Sequence, residues 1–343
     1  MHTLEPFPLV SIILVSWNSG VYLPRCLDCL EAQTFKNFEI VLVDNGSKDD
    51  SLEGLEGGHP GLALRLEKLG ENVGFAAANN LGARLARAPW LALLNTDAFP
   101  QPDWLEKLLQ AVEQYPEFSF FACRQIKADQ PKVLDGAGDV FHVSGLAWRQ
   151  YEGWPVDRFG LKAVEVFSAC AATGLYSRQA FFQVGGFDED FFSYFEDVDL
   201  SFRLRLQGFR CLYVPQASVL HIGSASTGRI SPFAVYHGHR NLDWTYIKNM
   251  PTFLFWLYLP LHLLMNIFFL FSFTLQGQGS TIWRAKRDAL CQLGGFWRKR
   301  CEIQSRRKAS SKELFNQMER NWFAPLFVKI QRRSFQKEGR VER

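Results

Sequence analysis

Leu9-Val10-Ser11-Ile12-Ile13-Leu14-Val15 is a short run of aliphatic and β-branched residues that stops abruptly at the polar triplet Ser16-Trp17-Asn18. The run is too short for a buried helix and fits a strand that is covered on both faces. The same signature recurs at Phe38–Val43, Leu62–Leu66, Trp90–Leu94 and Phe118–Ala122, with helix-like segments between most of them. Strands with so little polar alternation belong to parallel sheets sandwiched by helices, so the reading is an α/β fold with a mostly parallel central sheet. Ligands of such sheets bind beyond the carboxyl ends of the strands. Three polar clusters follow these strands, at Ser16–Asn18, Asp44–Ser47 and Asn95–Asp97, and are expected to line one site.

Downstream, residues 129–165 are Gly-rich and aromatic and read as irregular structure with short strands. A second ordered block spans Val164 to His221: a strand at Val164–Ala169, a short helix near Gln179, the turn Gly185-Gly186, a helix over Glu196–Gln207 and two strands. Ser193 and Glu196 have capping-box spacing, which would set Glu196 and Asp197 in the first helical turn. Exposed N–H groups and the helix dipole favour anions there.

Several residues have the chemistry of a site. The Trp17 indole, just past a strand end, can stack on a planar base, and Asp44 can accept hydrogen bonds from a base or ribose. The turn composition Asp44-Asn45-Gly46-Ser47 equally fits an Asx-turn. Asp97 follows a buried strand, where an ionised carboxylate needs a cap, a counter-charge or a metal. His221 ends another strand and could complete a metal site with it. In Phe195-Glu196-Asp197-Val198-Asp199, adjacent helical residues do not share a face, so at most one or two of the three acids enter one cleft. Asp197 is the expected general base.

The 343 residues are 47% hydrophobic, with 31 Phe, and carry a net charge of only +3, which argues against a general nucleic-acid binder. Seven cysteines at irregular spacing suggest reduced thiols rather than a disulfide framework. Cys26 and Cys29 form a C-x-x-C, but their apolar helical setting reads as helix core. The N-terminus shows no basic segment followed by an apolar one, so the catalytic part is expected on the cytoplasmic side.

The apolar excess is local. No charged residue occurs between Lys248 and Arg284, and Thr252–Leu275 would form a helix about 36 Å long, enough to cross a bilayer. Basic residues flank it on both sides, among them Arg240, Lys248, Arg284, Lys286, Arg287 and Arg298. Two basic flanks favour a segment that bends at Pro260 and dips into one leaflet, or lies in it, over a single crossing. The expected division is a catalytic part, residues 1–240, and a membrane-associated helix with a basic tail, residues 241–343, on the cytoplasmic face of the plasma (inner) membrane.

Read in order, Val15-Ser16-Trp17-Asn18, Val43-Asp44-Asn45-Gly46-Ser47, Asn72-Val73-Gly74-Phe75-Ala76-Ala77-Ala78-Asn79-Asn80, Leu94-Asn95-Thr96-Asp97, Gly185-Gly186-Phe187-Asp188 and Phe195-Glu196-Asp197-Val198-Asp199-Leu200 resemble the blocks of the family 2 glycosyltransferases of GT-A fold. The resemblance covers roughly Val10 to His221. It implies inverting transfer of a sugar from a nucleotide diphosphate donor to a glycan or lipid-linked acceptor. Ser16, Trp17, Asn18, Asp44, Asn72, Gly74, Asn79, Asn95 and Thr96 would form the donor site. Asp97 and His221 would hold Mg2+ or Mn2+, and Asp197, with Glu196 beside it, would be the base, the acceptor approaching from the Gly185–Asp199 side. Two positions depart from the family pattern: Asn95-Thr96-Asp97 stands for the usual D-x-D, and Asn79 stands where many relatives have arginine. Asn95 resembles the rhamnosyltransferase-like branch, which implies deoxythymidine diphosphate-rhamnose as donor, with a uridine diphosphate-hexose second. A nucleotidyltransferase or a catalytically inactive membrane scaffold would share the fold, but no Gly-rich phosphate loop appears in residues 9–30.

Overall fold

The computed structural model describes residues 7–53, 55, 59–223 and 231–324. Its first half contains β1 (Val10–Ser16), α1 (Leu23–Glu31), β2 (Phe38–Asp44), β3 (Leu64–Lys68), α2 (Phe75–Leu85), β4 (Trp90–Asn95), β5 (Ala98–Pro100), α3 (Trp104–Gln114) and β6 (Phe120–Lys127). Short strands follow: β7 (Leu134–Ala137), β8 (Asp139–Phe141), β9 (Ala147–Arg149), β10 (Val164–Val166) and β11 (Leu175–Ser177). Then come α4 (Arg178–Gln183), α5 (Glu196–Leu206), β12 (Cys211–His221), α6 (Pro232–Asn249), α7 (Thr252–Phe273), α8 (Gly279–Cys291), α9 (Leu293–Ser305) and α10 (Ser311–Gln317).

The main sheet runs β10-β12-β6-β11-β4-β1-β2-β3, with β5 on β12 and β7 on β6. Its longest ladders, β1–β2, β1–β4, β2–β3 and β6–β12, are parallel, and short β11 enters antiparallel between the two parallel groups. The unbroken apolar strands have the cause inferred from sequence. Ile12 and Leu14 of β1 face a core built with Leu23, Leu27 and Leu30 of α1 and Trp104 of α3, while Ile13 faces the opposite core with Ala76 and Ala83 of α2. The apolar residues of β1 up to Leu14 are therefore buried on one side or the other. Gly82 permits the close approach of α2, because a Cβ there would lie 2.5 Å from the Ile13 Cγ2.

Register sets the strand ends level: Ser16 pairs with Asp44 and Val15 with Asn95. The two strands expected before His221 are one, β12, with a register irregularity between Val214 and Ser218, where Pro215 removes a ladder donor. The chain turns at Asp97 into β5, which runs antiparallel to β12 and pairs Ala98 with His221.

The expected boundary at residue 240 falls inside α6, which contacts α5 of the catalytic part as well as α8 and α9. The expected bend at Pro260 is likewise not where the chain turns. Helix α7 continues through Pro260, and the reversal occurs at Gly277, whose φ of 78° is open to glycine at no steric penalty. Helix α7 lies antiparallel along α6: Phe255 and His262 meet the Tyr246 ring, and Phe269 and Phe273 meet His239. Helix α8 returns alongside, with Lys286 in a buried ion pair with Asp243 at 2.9 Å.

Candidate active site

A cavity of about 1020 Å³ opens at the carboxyl ends of β1, β2 and β4. Of the residues expected from sequence, Trp17, Asn72, Asn95, Thr96, Asp97, Glu196, Asp197 and His221 line it. Ser16, Asn18, Asp44, Gly74 and Asn79 do not, and the last four have other local tasks. Ser16 is buried at the end of β1. The Asn18 side chain accepts from the Lys48 N–H (2.8 Å), and Asp44 accepts from the Ser47 N–H (3.2 Å), which is the turn-forming alternative for that residue. Asn79 donates to the Phe75 carbonyl within α2 (2.9 Å), and Gly74 precedes α2 with φ of 91°, where a Cβ would strike the Phe192 ring. Asn45, not singled out from sequence, does reach the cavity. Its carboxamide donates to Asn72 (3.0 Å) and accepts from the Val73 N–H (2.9 Å), bracing the two strand-end loops against each other.

Asp97 and His221 meet because β5 pairs with β12. His221 Nε2 lies 3.4 Å from Asp97 Oδ1, and His221 Nδ1 lies 2.8 Å from Asp135 Oδ2. Burial disfavours the Asp97 charge, but the facing imidazole outweighs it and holds the carboxyl below its usual range. For His221, burial lowers the pKa while Asp135 and Asp97 raise it, with a net rise. Nε2 is buried and has no well-formed hydrogen bond among the described residues. An imidazole oriented by a carboxylate on one nitrogen, with the other nitrogen aimed at a second carboxylate, is a donor set that fits a divalent cation. No group of three or more His, Cys, Asp or Glu among the described residues is arranged to hold one, so the remaining ligands would come from substrate and water.

Across the cavity, α5 delivers the acids. The capping box expected at Ser193 is not formed. Phe195 is the residue before the helix, in the left-handed region (φ 67°), with no side-chain cap, and the Ser193 N–H is drawn to the Phe191 carbonyl instead (2.7 Å). Asp197 accepts from the N–H groups of Ala171 (3.2 Å) and Val198 (2.8 Å), yet burial prevails and raises its carboxyl above the ordinary value. Glu196 is pushed well up by burial and then by Asp197. Asp199 turns away to Arg203 (2.8 Å), Lys248 (2.7 Å) and Asn249 (2.7 Å), so two of the three acids share the cleft.

The short strands expected within residues 129–165 include the β8–β9 hairpin, but sequence reasoning singled out none of its residues. Asp139 and Arg149 are directly paired on it and both line the cavity. Burial, then the Asp197 charge, raises the Asp139 carboxyl to about 8 against the pull of Arg149. Arg149 also ion-pairs with Asp135, so one half-buried cation serves both halves of the site. The available signal was Asp135-Gly136-Ala137-Gly138-Asp139, two acids in a Gly-rich stretch that lacks polar company.

A sheet of this topology, with a carboxylate–imidazole pair and a buried carboxylate across one strand-end cavity, has the architecture of the GT-A fold. Residues 11–184 match the family model described as glycosyl transferase family 2. The chain is 30% identical over 254 residues to the N-acetylglucosaminyl-diphospho-decaprenol L-rhamnosyltransferase of Mycobacterium tuberculosis (strain ATCC 25618 / H37Rv), covering 67% of this chain and 81% of the relative. It is 32% identical over 233 residues to the O-antigen biosynthesis protein RfbC of Myxococcus xanthus, covering 64% of this chain and 18% of that much longer protein. Among solved structures, S. aureus TarS superposes with a TM-score of 0.51 at 17% identity, covering 70% of this chain and 66% of that one. GalNAc-T7 with UDP, GalNAc and Mn2+ gives 0.56 at 18%, covering 71% and 48%. At these identities the two structures support the fold alone. The chain belongs to glycosyl transferase family 2 and is a glycosyltransferase of glycan synthesis.

Proposed function

We propose that this enzyme moves a sugar, with inversion, from a nucleoside diphosphate donor to a lipid-linked or polysaccharide acceptor at the cytoplasmic face of the inner membrane. The observation that carries the reading is the sharing of one cavity by Asp97, His221 and Asp197. Trp17 stacks on the nucleobase, and Asn45, Asn72 and Thr96 offer hydrogen bonds to the nucleotide. Asp97 and His221 would hold a divalent ion, Mg2+ or Mn2+, which would supply positive charge to offset that of the departing diphosphate. Asp197 accepts the acceptor hydroxyl proton as that oxygen bonds to the anomeric carbon from the face opposite the leaving group. The bond from the anomeric carbon to the diphosphate breaks in the same displacement, and nucleoside diphosphate departs with the electron pair. A raised pKa suits a base that must also release its proton afterwards.

The donor ranked first is deoxythymidine diphosphate-rhamnose, supported by Asn95 and by the mycobacterial relative, and a uridine diphosphate-hexose is second. Membrane attachment is supported by α7. Phe253, Trp256, Leu257, Leu264, Ile267, Phe268 and Phe271 are exposed at helical spacing and form one apolar stripe on the side away from α6. Because α7 lies lengthwise on a helix with buried charges, an in-plane seat in one leaflet fits it better than a crossing.

A panel of activated sugars tests the function, with acceptor and Mg2+ or Mn2+ supplied, by following released nucleoside diphosphate. Release with deoxythymidine diphosphate-rhamnose is expected. Pyrophosphate as product would make the chain a nucleotidyltransferase, and no release from any donor would make it a scaffold.

A further inference from the structure

The segment between Gly186 and α5 carries strain beside the chemistry. Phe192 (φ 65°), Tyr194 (φ 70°) and Phe195 (φ 67°) all lie in the left-handed region, which bulky L-residues avoid. All three line the cavity, and Glu196 and Asp197 follow directly. Such a conformation is unfavourable for a bulky residue and persists only where its surroundings over-determine it.

The surroundings that do so belong to α6. The Asn241 carboxamide nitrogen is buried, and its two N–H groups are shared among the carbonyls of Phe191 (2.9 Å), Ser193 (2.9 Å) and Tyr194 (2.7 Å). Arg240 Nη2 adds bonds to the carbonyls of Asp190 (3.1 Å) and Phe191 (3.0 Å), its guanidinium resting 4.1 Å from the Trp244 ring centroid. On the same helix, Lys248 bridges Asp188 (2.6 Å) and Asp199 (2.7 Å). From the other side the Phe192 carbonyl receives the Ala76 N–H at the start of α2 (3.2 Å). A run of main-chain carbonyls that has left regular structure is thus satisfied by two side chains of α6, a helix that contributes no acid to the site.

We propose that Asn241 is a positioning residue for the transfer step: its carboxamide locks the 191–195 turn and thereby fixes the aim of Asp197 into the cavity. The inference rests on the assignment of Asp197 as base. Nucleotide affinity is expected to change little, because Trp17, Asn45 and Asn72 are carried by the loops after β1, β2 and β3 rather than by the 191–195 turn. A misplacement of about 1 Å at a reacting group lowers turnover by about 100-fold. Asn241→Leu, which keeps the volume and removes the donors, is therefore expected to lower kcat about 100-fold. Arg240→Met, which removes a peripheral pair of bonds, is expected to lower it about tenfold.

The experiment uses the full-length protein in detergent and the donor–acceptor pair on which the wild type turns over. It compares wild type, N241L and R240M in kcat, donor KM, affinity for UDP and dTDP by calorimetry, thermal midpoint, and hydrogen exchange of the amides of 191–195. Support is a fall in kcat and faster exchange at 191–195, with nucleotide affinity within about twofold of wild type. Unchanged kcat in N241L overturns the proposal, and so does a parallel loss of kcat and nucleotide affinity, which a merely structural role would give. If N241L does not fold, R240M decides on the same criteria. D197N separates this idea from the one beneath it. If D197N retains turnover while N241L loses it, the base assignment fails. If D197N is inactive and N241L is not, the positioning role fails alone.

Discussion

His221 Nε2 faces Asp97 Oδ1 at 3.4 Å while His221 Nδ1 is engaged by Asp135 at 2.8 Å, so the imidazole is aimed by one carboxylate toward another. Loss of a carboxylate that orients a metal-bound histidine typically weakens metal affinity about 10–100-fold. Asp135→Asn is therefore expected to raise the Mn2+ concentration for half-maximal turnover by that factor, with kcat at saturating metal largely retained. Asp97→Asn should not be rescued by metal. Titration of activity with Mn2+ after chelation checks both, and a wild type indifferent to chelation would remove the metal role altogether.

Asp197 sits across the same cavity with burial raising its carboxyl. As a base it must be ionised, so kcat/KM should fall as pH drops through a limb lying above the ordinary carboxylate range. Glu196 is pushed higher still and keeps its proton while Asp197 titrates, so Glu196→Gln should leave the limb close to its wild-type position. Asp197→Asn should lower turnover by about 100-fold to 10,000-fold with nucleotide affinity unchanged. A pH–rate series on the three proteins is the measurement, and near wild-type turnover in D197N would dismiss the assignment.

Asp139 gives a stability prediction of opposite sign to the usual salt-bridged carboxylate. Burial lifts its folded-state pKa from the ordinary 3.8 to about 8, so the native state keeps a proton that the unfolded chain releases. The contribution of Asp139 should then be neutral below pH about 4 and increasingly unfavourable as pH rises toward about 8. Asp139→Asn keeps the shape, removes the titration and leaves Arg149 its partner Asp135. The variant should be the more stable above pH 8, by on the order of a few kcal/mol, and match the wild type near pH 4. Thermal midpoints of the two ligand-free proteins across pH 4–9 decide, with parallel curves counting against the buried-acid account.

What was legible in sequence follows from how local each signal is. The strands of the first half are continuous apolar runs and their polar ends mark the cavity edge, so β1, β2, β4 and Asp97 could be read directly. Which strand-end residues turn inward could not. Asp44 and Asn45 are adjacent and both polar, yet only Asn45 lines the cavity, because Asp44 closes its own turn on Ser47. Asp139 and Arg149 are brought in by a short hairpin whose residues carry little periodicity. The Ser193 capping box failed because three backbone angles before α5 are left-handed, and these are held by Asn241, on a helix beyond the reach of any local pattern.

The apolar stripe of α7 makes the last prediction. Leu264 and Phe268 are 60% and 56% exposed and touch no core cluster, so charges there should leave folding intact. A soluble core helix would bury such residues, whereas a helix lying in the interface turns them to the acyl chains while exposed Arg284, Arg287 and Arg298 meet anionic headgroups. Each carboxylate or ammonium set into the apolar layer is unfavourable by roughly 2.5–3.5 kcal/mol at its centre and less near the surface. Leu264→Glu with Phe268→Glu should therefore weaken binding to vesicles containing anionic lipid by about 100-fold, while UDP and dTDP affinities stay as in the wild type. Flotation with vesicles at low and high salt measures this. Binding that survives the double substitution but vanishes in salt would leave the basic tail alone as the anchor, and α7 would then be a face for protein rather than lipid.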